Sequence, residues 1–172
     1  MNIDELVADI RGMEGCSLVP PAGQPSLSSE LVLSSDLTRF YELCGGASLF
    51  ANRPNTGPIR ILGPNEIDRI DNMILGEMFA TGPFSQWFAL IDDQDGNYLG
   101  IDLGKSHNGK CYDFFHETFA MPGYVAVIAN SFSHLVRQLL DHDEDSSFWL
   151  QDDFTAFGEA FALYGYESIE PK

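Results

Sequence analysis

Positive charge is scarce in this sequence. Nine Lys and Arg stand against 26 Asp and Glu in 172 residues, a formal net charge of −17 at pH 7. A field of that sign repels phosphate backbones and anionic lipid, which argues against nucleic acid and membrane as partners. It suits a basic protein, whose approach it speeds at low salt, and it equally serves solubility alone. Cysteine is scarce too. Cys16, Cys44 and Cys111 are odd in number and form no CxxC pair, so no disulfide framework is expected and a reducing compartment fits. No apolar run approaches the length that spans a bilayer. The opening Met-Asn-Ile-Asp-Glu has no basic region followed by an apolar stretch, so the sequence predicts no secretory signal and a cytoplasmic location.

Catalytic and cofactor motifs are missing as well. No GxSxG elbow, HExxH pair, Cys/His cluster or phosphate-binding glycine loop occurs. Cys44 falls on an apolar helical face, where a thiol is inert core. Cys111 and His116, five apart, would lie on opposite faces of a strand. No catalytic, cofactor or metal residue is therefore expected. The stretch Asp92-Asp93-Gln94-Asp95-Gly96-Asn97 invites a calcium reading, but alignment on Gly96 puts Ile91 at the first ligand position. It also puts Asp102, not a bidentate Glu, at the twelfth. A hairpin turn of solvated acids accounts for this stretch.

What is present reads as one globular domain over residues 1–172, with 44% hydrophobic and 12% aromatic residues. Ile3, Leu6, Val7 and Ile10 predict a first helix, with Asp4 and Glu5 in its first turn. Leu37, Phe40, Tyr41 and Cys44 predict a second, capped by Ser34 or Ser35 and stopped by Gly45-Gly46 in a left-handed C-terminal position. Short strands are expected over residues 47–51 and 59–62, then a helix over 65–73. Trp87 to Ile91 is a continuous apolar run, as in a strand buried on both faces. Asp95-Gly96 and Asn108-Gly109 mark turns, so strands over 87–91, 98–103 and 110–115 form an antiparallel meander. In the second of these, Leu99, Ile101 and Leu103 alternate with Tyr98, Gly100 and Asp102. Phe132, Leu135, Val136, Leu139 and Leu140 predict a strongly amphipathic helix capped by Asn130 or Ser131. Leu150, Phe154, Phe157, Phe161 and Tyr164 carry helical spacing to Gly165.

Two acidic groups are candidates for binding a partner. The first is Asp92, Asp93 and Asp95 in the predicted turn. The second is Asp141, Asp143, Glu144 and Asp145, within a run to Asp153 that contains no Lys or Arg. That run reads either as a solvated loop or as a docking surface for a cationic protein. Trp149, beside Phe148, is either an interface anchor or core.

Three segments, in order, resemble the SUKH superfamily (Smi/Knr-like proteins). They are Leu33-Ser34-Ser35-Asp36-Leu37-Thr38-Arg39-Phe40-Tyr41-Glu42-Leu43-Cys44-Gly45-Gly46-Ala47 with Leu49-Phe50; Ile61-Leu62-Gly63-Pro64-Asn65-Glu66-Ile67; and the passage from Trp87 through Asp95-Gly96 to Ile128-Ala129-Asn130-Ser131-Phe132-Ser133-His134-Leu135. The resemblance is strongest over residues 30–145. Ser34-Ser35 replaces the usual prolines and Cys44 stands where the family often has Asn. The resemblance implies an α+β fold with a mixed, mostly antiparallel sheet flanked by helices. It also implies a non-enzymatic protein-binding role. The first expectation is an immunity-type protein that neutralises a cognate toxin domain, basic if a nuclease; the alternatives are a regulatory adaptor and, from another class, a small enzyme or metal-binding protein.

Overall fold

The structure, a computed structural model, describes residues 2–54, 57–142 and 147–169. The chain is α+β: five α-helices surround a seven-stranded sheet among the described residues. In order these are α1 (Ile3–Gly12), β1 (Ser17–Leu18), α2 (Ser35–Leu43), β2 (Ala47–Leu49), β3 (Ile59–Ile61), α3 (Ile70–Leu75), β4 (Trp87–Asp92), β5 (Tyr98–Asp102), β6 (Cys111–Phe114), β7 (Val127–Ala129), α4 (Phe132–Asp141) and α5 (Ala160–Leu163). Spatial order equals chain order, and every pairing from β1 to β7 is antiparallel. The expected three-strand meander is thus the centre of a larger one.

Both faces of the sheet are covered. On one face α1, α2 and α4 pack together over Leu90, Ile101 and Ile128. Each helix turns an apolar stripe inward: Leu6 and Ile10 from α1, Leu37 and Phe40 from α2, Leu135 and Leu139 from α4. Caps fix two of their starts, since Asn2 accepts from the Asp4 N–H at 2.9 Å and Ser131 from the His134 N–H at 3.1 Å. On the other face Trp87, Tyr112, Phe114 and Val127 lie under Ile70 of α3, Phe84 and Phe161 of α5. At roughly 1.5–3 kcal/mol for each large apolar side chain buried, these two clusters supply most of the drive to fold.

The second face also holds a buried carboxylate. Asp102 is fully buried and accepts from Trp87 Nε1 at 3.2 Å, the Tyr112 hydroxyl at 2.7 Å, the Tyr164 hydroxyl at 2.7 Å and the Gly104 N–H at 2.8 Å. Burial, and then the adjoining Asp102 carboxylate, push both tyrosine pKa values up, so both hydroxyls remain donors. Asp71, also fully buried, is matched by the Arg69 guanidinium and by the Phe79 N–H at 2.7 Å.

Three local expectations fail, each for a tertiary reason. The third helix starts at Ile70 rather than at residue 65, because Arg69 bridges antiparallel to Phe88 and the Ala89 N–H donates to the Asp68 carbonyl. Past α2 the first non-helical residue, Cys44, is extended rather than left-handed. Gly45-Gly46 serves close backbone approach: a Cβ on Gly45 would lie 2.3 Å from the Pro20 carbonyl oxygen, and one on Gly46 (φ +116°) 2.6 Å from that of Ile61. The helix expected over 150–164 is reduced to a 3₁₀ turn at Phe148–Leu150 and the single turn of α5. Between them the backbone closes the outer edge of β7 instead, with the Phe157 N–H donating to the Val127 carbonyl and the Val127 N–H to that of Gly158, both at 2.9 Å. An unpaired strand edge is a stronger claim on those groups than an exposed helical turn.

Candidate functional site

The β4–β5 connection is a loop of residues 93–97 built from its own acids. Asp93 Oδ1 accepts from the N–H groups of Asp95 at 2.8 Å and Asn97 at 3.0 Å, while Oδ2 accepts from Asn97 Nδ2 at 3.0 Å. Asp92 takes the Gln94 N–H at 2.6 Å, and Gln94 itself adopts φ +66°. Short Asp side chains turned onto their own backbone account for this geometry. Asp95 projects outward, exposed. No group of three or more His, Cys, Asp or Glu suited to a metal occurs among the described residues.

Beside this loop lies a cleft of about 530 Å³. One wall is the β4–β5 loop with Asp93, Asp95 and Tyr98; another is the end of β6 with Asp113 and Phe115; Tyr124 and the 3₁₀ turn at Trp149 complete it. Among the described residues, three aspartates line the cleft and no Lys, Arg or His does. Its rim is apolar and open to solvent, with Leu150 71% exposed and Phe115 and Tyr124 each 40%. Contiguous exposed apolar surface next to charge is the anatomy of an interaction site. A second hollow of about 460 Å³, near Ser28, Glu30 and Lys105, has no aromatic wall and carries both signs of charge.

Asp113 is the unusual group. Asp102 and Asp71 each satisfy their oxygens with several donors; Asp113 is half-buried and its Oδ2 accepts only from Trp149 Nε1, at 2.9 Å, among the described residues. Burial pushes its carboxyl up to about 6, the Trp149 hydrogen bond pulls it down, and the charge of Asp93 pushes it up again. Burial, with the charges of Asp92 and Asp93, also raises the Tyr98 hydroxyl. Asp93 and Asp113 thus repel each other here, and no cation is among the described lining residues.

The cleft joins two acids of the first candidate group to Trp149. Asp93, Asp95 and Trp149 line it. Asp92 does not line it and instead holds the turn. Asp141 lies elsewhere, at the end of α4, 3.8 Å from Arg137. Asp143, Glu144 and Asp145 lie outside the described residues. Both readings of Trp149 meet in one side chain: it packs against the core beside fully seated Phe148, and it walls the cleft. Sequence reasoning missed Asp113, Tyr98, Phe115 and Tyr124. The available signal was a lone carboxylate inside an aromatic strand, Cys111-Tyr112-Asp113-Phe114-Phe115.

Residues 29–138 match the SMI1 / KNR4 family (SUKH-1). The immunity protein YokJ of Bacillus subtilis (strain 168) is 36% identical over 161 residues, covering 94% of this chain and 96% of that protein. No solved structure matches the chain. The family match spans most of the seven-stranded sheet and the hairpin wall of the cleft, while the similarity to YokJ extends over nearly the whole length. On that basis the chain belongs to the SMI1 / KNR4 family (SUKH-1).

Proposed function

We propose that this is an immunity-type protein, which binds a cognate toxin through the cleft beside the β4–β5 loop and neutralises it by occlusion. The observation that carries this reading is the cleft itself: three aspartates, exposed aromatic and aliphatic walls, and no cation among its described lining residues. Membership of the SMI1 / KNR4 family and similarity to a protein named as an immunity protein support it. So does the net charge of −17, which draws a basic partner in from a distance. If the toxin is a nuclease, its substrate groove is basic and Asp93, Asp95 and Asp113 stand in for phosphates. Such a protein works in the cytoplasm of the cell that makes the toxin. It acts by contact alone, with no bond made or broken.

The test is to identify a toxin that this protein binds and to ask whether cells producing that toxin are protected. Co-production of the wild-type protein is expected to restore growth, and the purified pair to co-elute. Trp149→Ala, checked for folding by circular dichroism, is expected to weaken the pair by about thirtyfold, the effect of losing one aromatic anchor worth about 2 kcal/mol. Absence of both protection and complex with the wild-type protein would refute the assignment.

A further inference from the structure

We propose that the cleft seats a single cationic side chain, Arg or Lys, projecting from a loop of the partner protein into the space between Asp93 and Asp113. This inference rests on the reading of the cleft as the partner-binding site and names what enters it.

The chemistry follows from what surrounds the cleft. Asp93 is committed to the turn through three hydrogen bonds, so its charge is fixed in place. Asp113 is held by one donor on Oδ2, and Oδ1 accepts nothing among the described residues. Two like charges fixed beside one cavity are favourable only to a cation placed between them. The walls set the shape of that cation. Tyr98, Trp149 and Leu99 offer apolar surface that suits the methylene stem of a long side chain, with the charge at its tip. The exposed rim of Phe115, Tyr124 and Leu150 is left for apolar neighbours of that residue in the partner's chain. A free small cation would leave this rim uncovered, and a second copy of this protein would bring its own negative charge. The occupant that fits both the acids and the rim is therefore a polypeptide segment.

The groups that face Asp113 are Asp93 and Asp95 from the loop, Tyr98 from β5, and Tyr124 and Trp149 from the opposite walls. His116, which does not line the cleft, contacts Asn97, which in turn holds Asp93. None of the described lining groups is a Lys, Arg or His, so among the described residues no internal cation competes for Asp113. Asp113 ionises near pH 6, and a bound cation favours its charged form. Binding should therefore weaken as pH falls below about 6, by at most about tenfold per pH unit for one linked proton.

The indole N–H of Trp149 reports directly on this site, and the other tryptophan, Trp87, is fully buried on Asp102. The probe is an acetylated and amidated Gly-Leu-Arg-Leu-Gly peptide titrated into the ¹⁵N-labelled full chain, against the same peptide with neutral citrulline for arginine. The expected result is progressive movement of the Trp149 indole signal with the arginine peptide, while Trp87 stays still. The citrulline peptide should bind about tenfold more weakly, the loss of one charge-assisted contact. Asp113→Asn, which keeps an oxygen for the Trp149 indole, should lose the same factor, and exposed Asp95→Asn less. An equal response to both peptides, or none, overturns the proposal. So does the same shift from guanidinium chloride at equal concentration, which identifies a free cation, or from concentrating the protein alone, which identifies self-association. Protection from the toxin without a Trp149 response leaves the immunity reading standing and removes this inference; a Trp149 response without protection does the reverse.

Discussion

A single aspartate shows how the site strains against the fold. Asp113 has a folded pKa of about 6 against 3.8 as an ordinary aspartate. Between those values the folded chain binds more protons than the unfolded one, so this group's contribution to stability is fully present below pH 3.8 and lost as pH rises through about 6. Removing the charge should undo the loss. Asp113→Asn is expected to match the wild-type protein in urea unfolding at pH 4 and to exceed it at pH 8, the gap opening between those values. Equal midpoints at both pH values would show that Asp113 is solvated in the folded state. Binding groups held at the expense of stability are common in interaction sites. The one signal of this residue's role was a lone carboxylate within an aromatic strand, and it is easily passed over because an acid in a strand usually faces water.

Among the elements, β5 explains how a correct pattern can carry an incomplete meaning. Its alternation of Leu99, Ile101 and Leu103 with Tyr98, Gly100 and Asp102 was legible as a strand, and the turns on either side placed it. Alternation ordinarily signals one wet face, yet Gly100 and Asp102 are buried beneath the aromatic cluster of the second face. Only the partners show why they are not apolar. Asp102 gathers four donors, the nearby Gly104 N–H and the more distant Trp87, Tyr112 and Tyr164 side chains, and Gly100 leaves room for Phe114. A Cβ at Gly100 would sit 2.2 Å from the Phe114 ring and 2.6 Å from the Phe88 carbonyl oxygen. Gly100→Ala is therefore expected to destabilise the chain by about 1–3 kcal/mol through overpacking. Calorimetry should show a fall in midpoint of about 2–4 °C for each kcal/mol; an unchanged midpoint would mean that β5 and β6 shift apart freely. The C-terminal segment carried the opposite error. Its aromatic spacing was helical, but the backbone from 157 to 159 serves the β7 edge, and spacing alone cannot register a hydrogen-bond demand made elsewhere.

For the whole molecule, charge is the dominant long-range term. Several cations are already neutralised locally: Arg39 pairs with Asp4 and Glu42, Arg60 with Glu66, Arg69 with Asp71 and Arg137 with Asp9. The surplus of acids then repels itself. Since the screening length falls from about 10 Å at 0.1 M salt to about 3 Å at 1 M, the free protein should unfold at higher temperature as NaCl is added, and KCl should act identically. A falling midpoint would mean that the surface ion pairs outweigh the repulsion. Composition made this property visible at once; periodicity and turn residues marked most of the strands, and the α+β fold was what the SUKH resemblance implied. The cleft was harder to see, because its walls come from residues as far apart in sequence as Gly57 and Leu150 and meet only once the sheet has formed.

The strip of backbone at residues 157–159 that covers β7 also sets an order of events. Strands β1 to β7 can zip up one after another as they leave the ribosome, each finding its predecessor already in place. The last of them keeps a bare flank until some thirty further residues have emerged and doubled back onto it. During synthesis, that flank is where a nascent chain would stick to its neighbours.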